Sequence, residues 1–257
     1  LSSLTFDIET VPDTELGAKL LGLDGIGDED VAKAMSFHQM QEKGTDFLPL
    51  YQHRIVAISV ALRGPDSFRL WSLGDADSDE KELVHRFFEG IELYTPDLVS
   101  WNGSGFDLPV LHYRALLHGV QAPRYWEHGD DDRNFRYNNY LSRFHWRHID
   151  LMDVLAGFQG RARASLDAIA TMLGFPGKMG MSGDQVWDSY RAGGIVEIRN
   201  YCETDVLNTY LVYLRFRHMC GLLDDPHLES EYQLVRDILK DSGAPHLAKF
   251  VDAWSAA

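Results

Sequence analysis

Acidic side chains recur in this sequence at three places where the local pattern turns them inward or sets them at a chain reversal. The first is Phe6-Asp7-Ile8-Glu9-Thr10. Alternation in a strand puts Leu4, Phe6 and Ile8 on one face and Asp7 and Glu9 on the other. The two carboxylates then stand about 6.5–7 Å apart along the strand. They repel one another unless water or a cation intervenes, and hard divalent ions such as Mg²⁺ prefer such oxygen ligands. A solvated edge-strand face would give the same pattern, so both readings stay open at this motif. The second place is Trp101-Asn102-Gly103-Ser104-Gly105-Phe106-Asp107-Leu108-Pro109. A strand ends there in a glycine-bearing turn and a helix opens at Asp107, where backbone N–H groups lack partners. Asp107 is expected to be the N-cap of that helix. Pro109 near the helix start agrees with this, and a carboxylate has acceptor sites left for a second role. Asn102 either forms the turn or contacts a substrate.

The third place carries the most physical information. Ile198, Tyr201, Asp205, Asn208, Val212, Phe216 and Met219 follow steps of three and four and form one stripe of a helix. The opposite side carries Leu207, Tyr210, Leu211 and Leu214, so the helix is expected to be buried nearly all round. Asp205 is then an acid directed into a packed region, which is costly unless an arginine pairs with it or a metal binds it. Tyr201, one turn earlier, can reach a ligand of Asp205.

The elements that must position these acids follow from hydrophobic period and turn residues. Strands are expected at Leu4–Glu9, Arg54–Arg63, Ser67–Leu73 and Leu98–Trp101, with Gly64-Pro65-Asp66 as a hairpin turn. Helices are expected at Asp30–Lys43, Ser78–Tyr94, Asp107–His118, Ser165–Leu173, Asp184–Ala192 and Ile195–Met219, and near Leu228–Lys240 and His246–Trp254. The stretch Pro123–His148 reads as irregular. Strands interleaved with helices, then helices only, predict an α/β fold: a mixed sheet of five to six strands flanked by helices. The hairpin makes part of it antiparallel. No linker divides the chain, so residues 1–257 are expected to form one domain with a helical C-terminal extension from about 222 to 257.

Bulk properties bound the function. With 45% hydrophobic and 25% charged residues, the composition is that of an ordinary globular protein. No stretch approaches the roughly 18 apolar residues of a membrane span, and the amino end lacks the basic-then-apolar order of a signal peptide. Cys202 and Cys220 make no disulfide framework; on one helix they stand about 27 Å apart. A reducing cytoplasm is the expected location. The net charge of −15 argues against nucleic acid, whose binders usually carry a basic face, unless bound cations neutralise the site and basic residues concentrate nearby. One such concentration exists. Arg133–His148 holds Arg133, Arg136, Arg143 and Arg147 among Phe135, Tyr137, Tyr140, Phe144 and Trp146, with no acid. Such a segment either grips a single strand or forms a β-hairpin whose rings pack on the sheet. Lys178, in a glycine-rich segment, either touches a phosphate or is solvated.

Taken in order, the three acidic segments resemble the Exo I, Exo II and Exo III motifs of the DEDD exonucleases, which have a ribonuclease H-like fold. FDIET matches the first motif, and NGSGFD followed by LPVL looks like the second as found in proofreading domains of B-family DNA polymerases. YCETD supplies the Tyr-x-x-x-Asp of the tyrosine subclass (DEDDy), and Asn200 stands where the histidine subclass has its histidine. HRIVAISVAL, HIDLMDVL, LGFPGK with GDQVW after it, and YCETDVLNTYLVYLR are similar to the stand-alone bacterial family of predicted polymerase-B-like 3′→5′ exonucleases. The resemblance runs from Leu4 to about Arg215.

It implies a metal-dependent 3′→5′ exonuclease that releases nucleoside 5′-monophosphates from single-stranded nucleic acid or 3′ ends, DNA favoured over RNA. Asp7, Glu9, Asp107 and Asp205 would hold two Mg²⁺ or Mn²⁺ ions, with Asp7 bridging them, and Tyr201 would orient the nucleophile. Asn102, Phe106, Arg136, Arg143 and Lys178 are the candidate substrate contacts. A non-catalytic module that binds nucleic-acid ends or assists a polymerase, and an exoribonuclease of the same fold, are the alternatives. The sequence names no replication or repair partner.

Overall fold

The computed structural model describes residues 2–256, so Leu1 and Ala257, the ends of the expected domain, lie outside the described residues. In chain order the elements are β1 (Ser3–Pro12), α1 (Thr14–Leu21), α2 (Asp28–Lys43), β2 (His53–Arg63), β3 (Phe68–Ser72), α3 (Glu80–Tyr94), β4 (Asp97–Ser100), α4 (Asp107–His118) and α5 (Pro123–Trp126). There follow β5 (His148–Asp150), α6 (Leu151–Leu155), α7 (Leu166–Met172), α8 (Val186–Arg191), α9 (Ile195–Met219), α10 (Asp225–Asp241) and α11 (Pro245–Ala256). Among the described residues the strands form one five-stranded sheet, ordered β3-β2-β1-β4-β5. Both β1–β2 and β2–β3 are antiparallel, whereas β1–β4 and β4–β5 are parallel. This is the mixed sheet expected of a ribonuclease H-like fold.

The alternation in β1 separates two cores. Leu4, Phe6 and Ile8 pack with Phe87, Phe88 and Ile91 of α3 and Leu111 of α4. The other face meets α9, whose Leu207, Leu211 and Leu214 pack with Val99 and Ile149 of the sheet and with Val235, Phe250 and Val251 of α10 and α11. Leu207, Tyr210, Leu211 and Leu214 are wholly buried, as the all-round apolar pattern requires, each burial stabilising by roughly 1.5–3 kcal/mol. The C-terminal helices thus lie against α9, and an Arg63–Glu231 ion pair ties α10 to β2.

Four elements, α1, α5, α6 and β5, depart from the sequence-based expectation. Helix α1 is capped by Asp13, which accepts from the Leu16 N–H, yet its interior Gly17 lowers local helix propensity. The glycine serves a tertiary contact: a Cβ there would sit 2.2 Å from the Met35 sulfur of α2. Strand β5 is three residues long, too short for a period to show, and is extended because it pairs with β4. The preceding segment forms no hairpin among the described residues; it opens with a 3₁₀ turn, Arg133–Phe135, and continues in bends. Its rings divide. Phe135 and Tyr140 are buried, Tyr140 stacked on Tyr125, whereas Tyr137, Phe144 and Trp146 are exposed.

Candidate active site

Strand β1 turns Asp7 and Glu9 toward α9. Asp7, Glu9 and Cys202 each offer a ligand atom within 4.8 Å of the others. The Cys202 thiol lies 3.4 Å from the Asp7 carbonyl oxygen and 3.7 Å from its Oδ2. Asp107 arrives from the other side of β1, and not as expected. It is the first residue of α4; Phe106 holds the N-cap position without a side-chain cap. The turn before α4 accounts for its own amides, since Gly105 and Phe106 donate to the Asn102 carbonyl and Leu108 to that of Gly103. The Asp107 carboxylate instead accepts the Ile8 N–H at 3.2 Å. Pairing of β1 with β4 ends at Thr5, so the Ile8 N–H beyond it needs another acceptor. Asp107 satisfies it and is held near Asp7 and Glu9, whose proton affinity its charge raises.

Asp205 is half-buried on α9, with Tyr201 one turn earlier. The arginine that could have neutralised it is absent among the described residues. Asp7, Asn102, Phe106, Asp107, Lys178 and Asp205 line one cleft of about 310 Å³, together with Met152, Ala164 and Leu166. A larger groove of about 1610 Å³, beyond the end of β1, contains none of the four acids. Three of the four acids, Asp7, Asp107 and Asp205, line the smaller cleft.

Burial and then the charges of Asp107 and Asp205 raise the proton affinity of Asp7 and Glu9, whereas Asp107 and Asp205 are themselves raised chiefly by burial. Burial, then the charges of Asp107, Glu9 and Asp205, hold Asp7 well above the usual carboxylate range. Glu9 is raised by burial and by Asp205 and Asp107, against the pull of Lys178. Burial lifts Asp107 to about 7, opposed by the backbone N–H groups it accepts. Asp205 is lifted to about 6 by burial, with Tyr201 and Lys178 opposing. Tyr201 is itself raised by burial and by Asp205, so it keeps its proton. None of the four acids takes part in an ion pair among the described residues, in contrast to buried Asp153, Glu80 and Asp13. Four converging carboxylates without matching bases are a donor set of the kind hard divalent ions require.

Hydrogen bonds behind the acids set the cleft walls. Asp150 accepts the Asn102 and Ser104 N–H groups, both at 2.9 Å, and so holds the turn in which Asn102 has φ +65°. The Lys178 segment is fastened to α9 by Asn208, which accepts from the Gly177 N–H at 3.1 Å and donates to its carbonyl at 2.8 Å. Asp167 accepts the Lys178 N–H at 2.7 Å. Gly177 is needed here: its φ is +65°, and a Cβ would meet Asp167 at 2.6 Å.

The structure therefore gathers Asp7, Glu9, Asp107, Tyr201, Asp205, Asn102, Phe106 and Lys178 at one place. Arg136 and Arg143 do not line this cleft; Arg136 is exposed, and Arg143 pairs with Asp153 at 2.7 Å. Sequence reasoning missed Cys202, Asn208 and Asp167 at the site. Asn208 was visible on the Tyr201–Asp205 stripe, and Cys202 stands three residues before Asp205; Asp167 gave no local signal.

Comparison with known proteins covers most of this site. A family described as predicted 3′-5′ exonuclease related to the exonuclease domain of PolB matches residues 45–254. That span contains Asp107, Tyr201 and Asp205, while Asp7 and Glu9 precede it. A stretch of 147 residues is 25% identical to the catalytic chain of DNA polymerase epsilon from Schizosaccharomyces pombe, covering 55% of this chain and 6% of that one. This chain thus spans a small fraction of that relative's length. Among the described residues, no helix is long and apolar enough to cross a membrane. With most of its length matched, the chain belongs to the family of predicted 3′-5′ exonucleases related to the exonuclease domain of PolB.

Proposed function

We propose that this protein is a tyrosine-subclass 3′→5′ exonuclease that hydrolyses the terminal phosphodiester of single-stranded nucleic acid, with DNA preferred. The observation that carries this is the convergence of Asp7, Glu9, Asp107 and Asp205 with no ion-paired base among the described residues, Lys178 acting on Glu9 and Asp205 only at a distance. These four would hold two divalent ions, Mg²⁺ or Mn²⁺. When bound, such ions lower the pKa of a water and neutralise charge at the leaving oxygen.

The residues of the chain do the rest. Tyr201 keeps its phenolic proton and so acts as a hydrogen-bond donor that orients the attacking water or the phosphate; it is not the base. Lys178, whose charge already favours ionised Glu9 and Asp205, is placed to attract a phosphate. Phe106 and Asn102, which also line the cleft, offer a ring and an amide to the terminal nucleotide. A cleft of about 310 Å³, at the low end for ligand sites, suits a strand end. The preference for DNA rests on the similarity to a DNA polymerase.

The test is a time course on 5′-labelled single-stranded DNA and RNA with Mg²⁺, with Mn²⁺, with chelator, and with Asp205→Ala. A metal-dependent ladder shortening from the 3′ end, absent in the variant, is expected, with DNA cut faster than RNA. Unchanged turnover in Asp205→Ala would remove Asp205 from the site. No cleavage in any condition by the folded protein would turn the reading to a module that binds strand ends.

A further inference from the structure

The chain is acidic overall, yet residues 133–163 hold six arginines and two acids. Both acids, Asp150 and Asp153, are buried, so the outward charge of this stretch is basic. Its arginines are not equivalent. Arg147 is committed inward, 4.1 Å over the Phe135 ring with its Nε on the Asn138 carbonyl. Arg143 and Arg163 instead share Asp153, at 2.7 and 2.6 Å, and both remain partly exposed. A guanidinium has five N–H donors, so each keeps several for an outside ligand while the buried carboxylate fixes its place.

Two rings complete this surface. Phe144 is 67% exposed and meets Phe158 edge-on at 4.9 Å. Arg143 lies 5.1 Å over the Phe158 ring. Phe158 has φ +61° directly after Gly157 at +57°, a left-handed backbone that a bulky aromatic residue rarely adopts. Strain of this kind persists where the surroundings over-determine it and concentrates at ligand sites. The location is equally specific. Met152 and Ala164, the sequence neighbours of Asp153 and Arg163, line the carboxylate cleft.

We infer that the Asp153-held pair Arg143 and Arg163, with Phe144 and Phe158, forms a binding track for single-stranded nucleic acid upstream of the end in the cleft. Guanidinium groups take phosphates and exposed rings take bases, the combination that holds single strands without sequence preference. The inference rests on the exonuclease reading for what the cleft does, and it moves the grip from Arg136 to the Asp153 clasp. An acidic polypeptide would satisfy the arginines but leave the rings without partners.

Fluorescence anisotropy of labelled oligo-dT of 3, 6 and 12 nucleotides, with chelator present, tests it on the intact protein. Affinity should rise about tenfold or more with length, the scale of at least one stacked base. Arg163→Ser should flatten this gain and lower the salt slope by about 0.7, the share of one phosphate contact on a single strand. Arg163 also neutralises Asp153, so its loss can unfold the protein. Phe144→Ala, which removes an exposed ring, supplies the second arm and should also flatten the length gain. No length gain in the unmodified protein, a full gain in Phe144→Ala, or displacement by polyglutamate as complete as by oligo-dT would each overturn the inference. Binding without cleavage under Mg²⁺ or Mn²⁺ would sink the exonuclease reading and leave the track standing; cleavage without length gain would do the reverse.

Discussion

Two groups of inward-facing acids lie around β1, and the chain treats them in opposite ways. At the end of the strand, Arg114 places Nη1 2.6 Å from Asp13 and Nε and Nη2 2.7 and 2.5 Å from Glu80. Glu80 also accepts the Ile55 N–H and bonds His118. Every charge there has a partner, and the arginine is almost wholly buried. A few residues back, Asp7 and Glu9 face Asp107 and Asp205 with no such base, and all four resist ionisation. Counting acids would not separate the two groups. The missing ion pairs do: one cluster is complete as folded, while the other leaves its carboxylates free for the cations proposed to bind there.

That contrast can be broken or sharpened in order of effect. Asp205→Ala should lower the rate of 3′-end cleavage by roughly 10²–10³-fold or more, the scale of losing one preorganised electrostatic contact, while circular dichroism and the urea midpoint stay near those of the parent. Arg114→Met should do the opposite. It leaves Asp13 and Glu80 buried without their base and should cost about 3–5 kcal/mol by urea titration. A parent-like midpoint in Arg114→Met would mean that the two groups do not differ as described.

A smaller effect follows from pH. Asp205 and Asp107 titrate in the folded, metal-free protein at about 6 and about 7, above their unfolded values. Folding therefore binds protons, and the stability these groups contribute is full below about pH 4 and lost as pH rises through 6 to 7. A divalent ion needs the ionised carboxylates. The rise in melting temperature on adding Mg²⁺ or Mn²⁺ should thus be small in acid and grow as pH rises through these two values. A metal-induced rise that is as large in acid as at neutral pH would contradict a carboxylate site. The smallest expected effect concerns the Lys178 wall. Lys178→Ala and Asn208→Ala should each lower kcat/KM, with a coupling of about 0.5–3 kcal/mol in the double variant. Additive losses would show that the Asn208 bonds to Gly177 do not serve Lys178.

Much of this arrangement was legible in the chain. Asp7 and Glu9 share a face because strand side chains alternate, and Tyr201, Asp205 and Asn208 share one because a helix repeats every 3.6 residues. Other features were not. Asp107 reads as an N-cap, since a strand, turn and acid at a helix start give that pattern. Its acceptance of the Ile8 N–H depends on where β4 stops pairing with β1, which no local signal carries. The arginine-rich stretch read as one grip or one hairpin, and the fold split it into a packed half around Phe135 and Tyr140 and an exposed half around Phe144.

The sequence by itself determined which side chains share a face, because alternation and helical period are properties of the local backbone. It determined as well that three acidic segments would follow one another on strand, turn and helix. Only the tertiary structure decided which acids go without a base. Arg114 reaches Asp13 across 101 positions of chain, and Asp107 reaches Ile8 across 99. Charge pairing acts over a few ångströms of space, so it is set by strand register and by how α9 seats on the sheet. The difference between a structural ion cluster and the site proposed to take metal arises at that level.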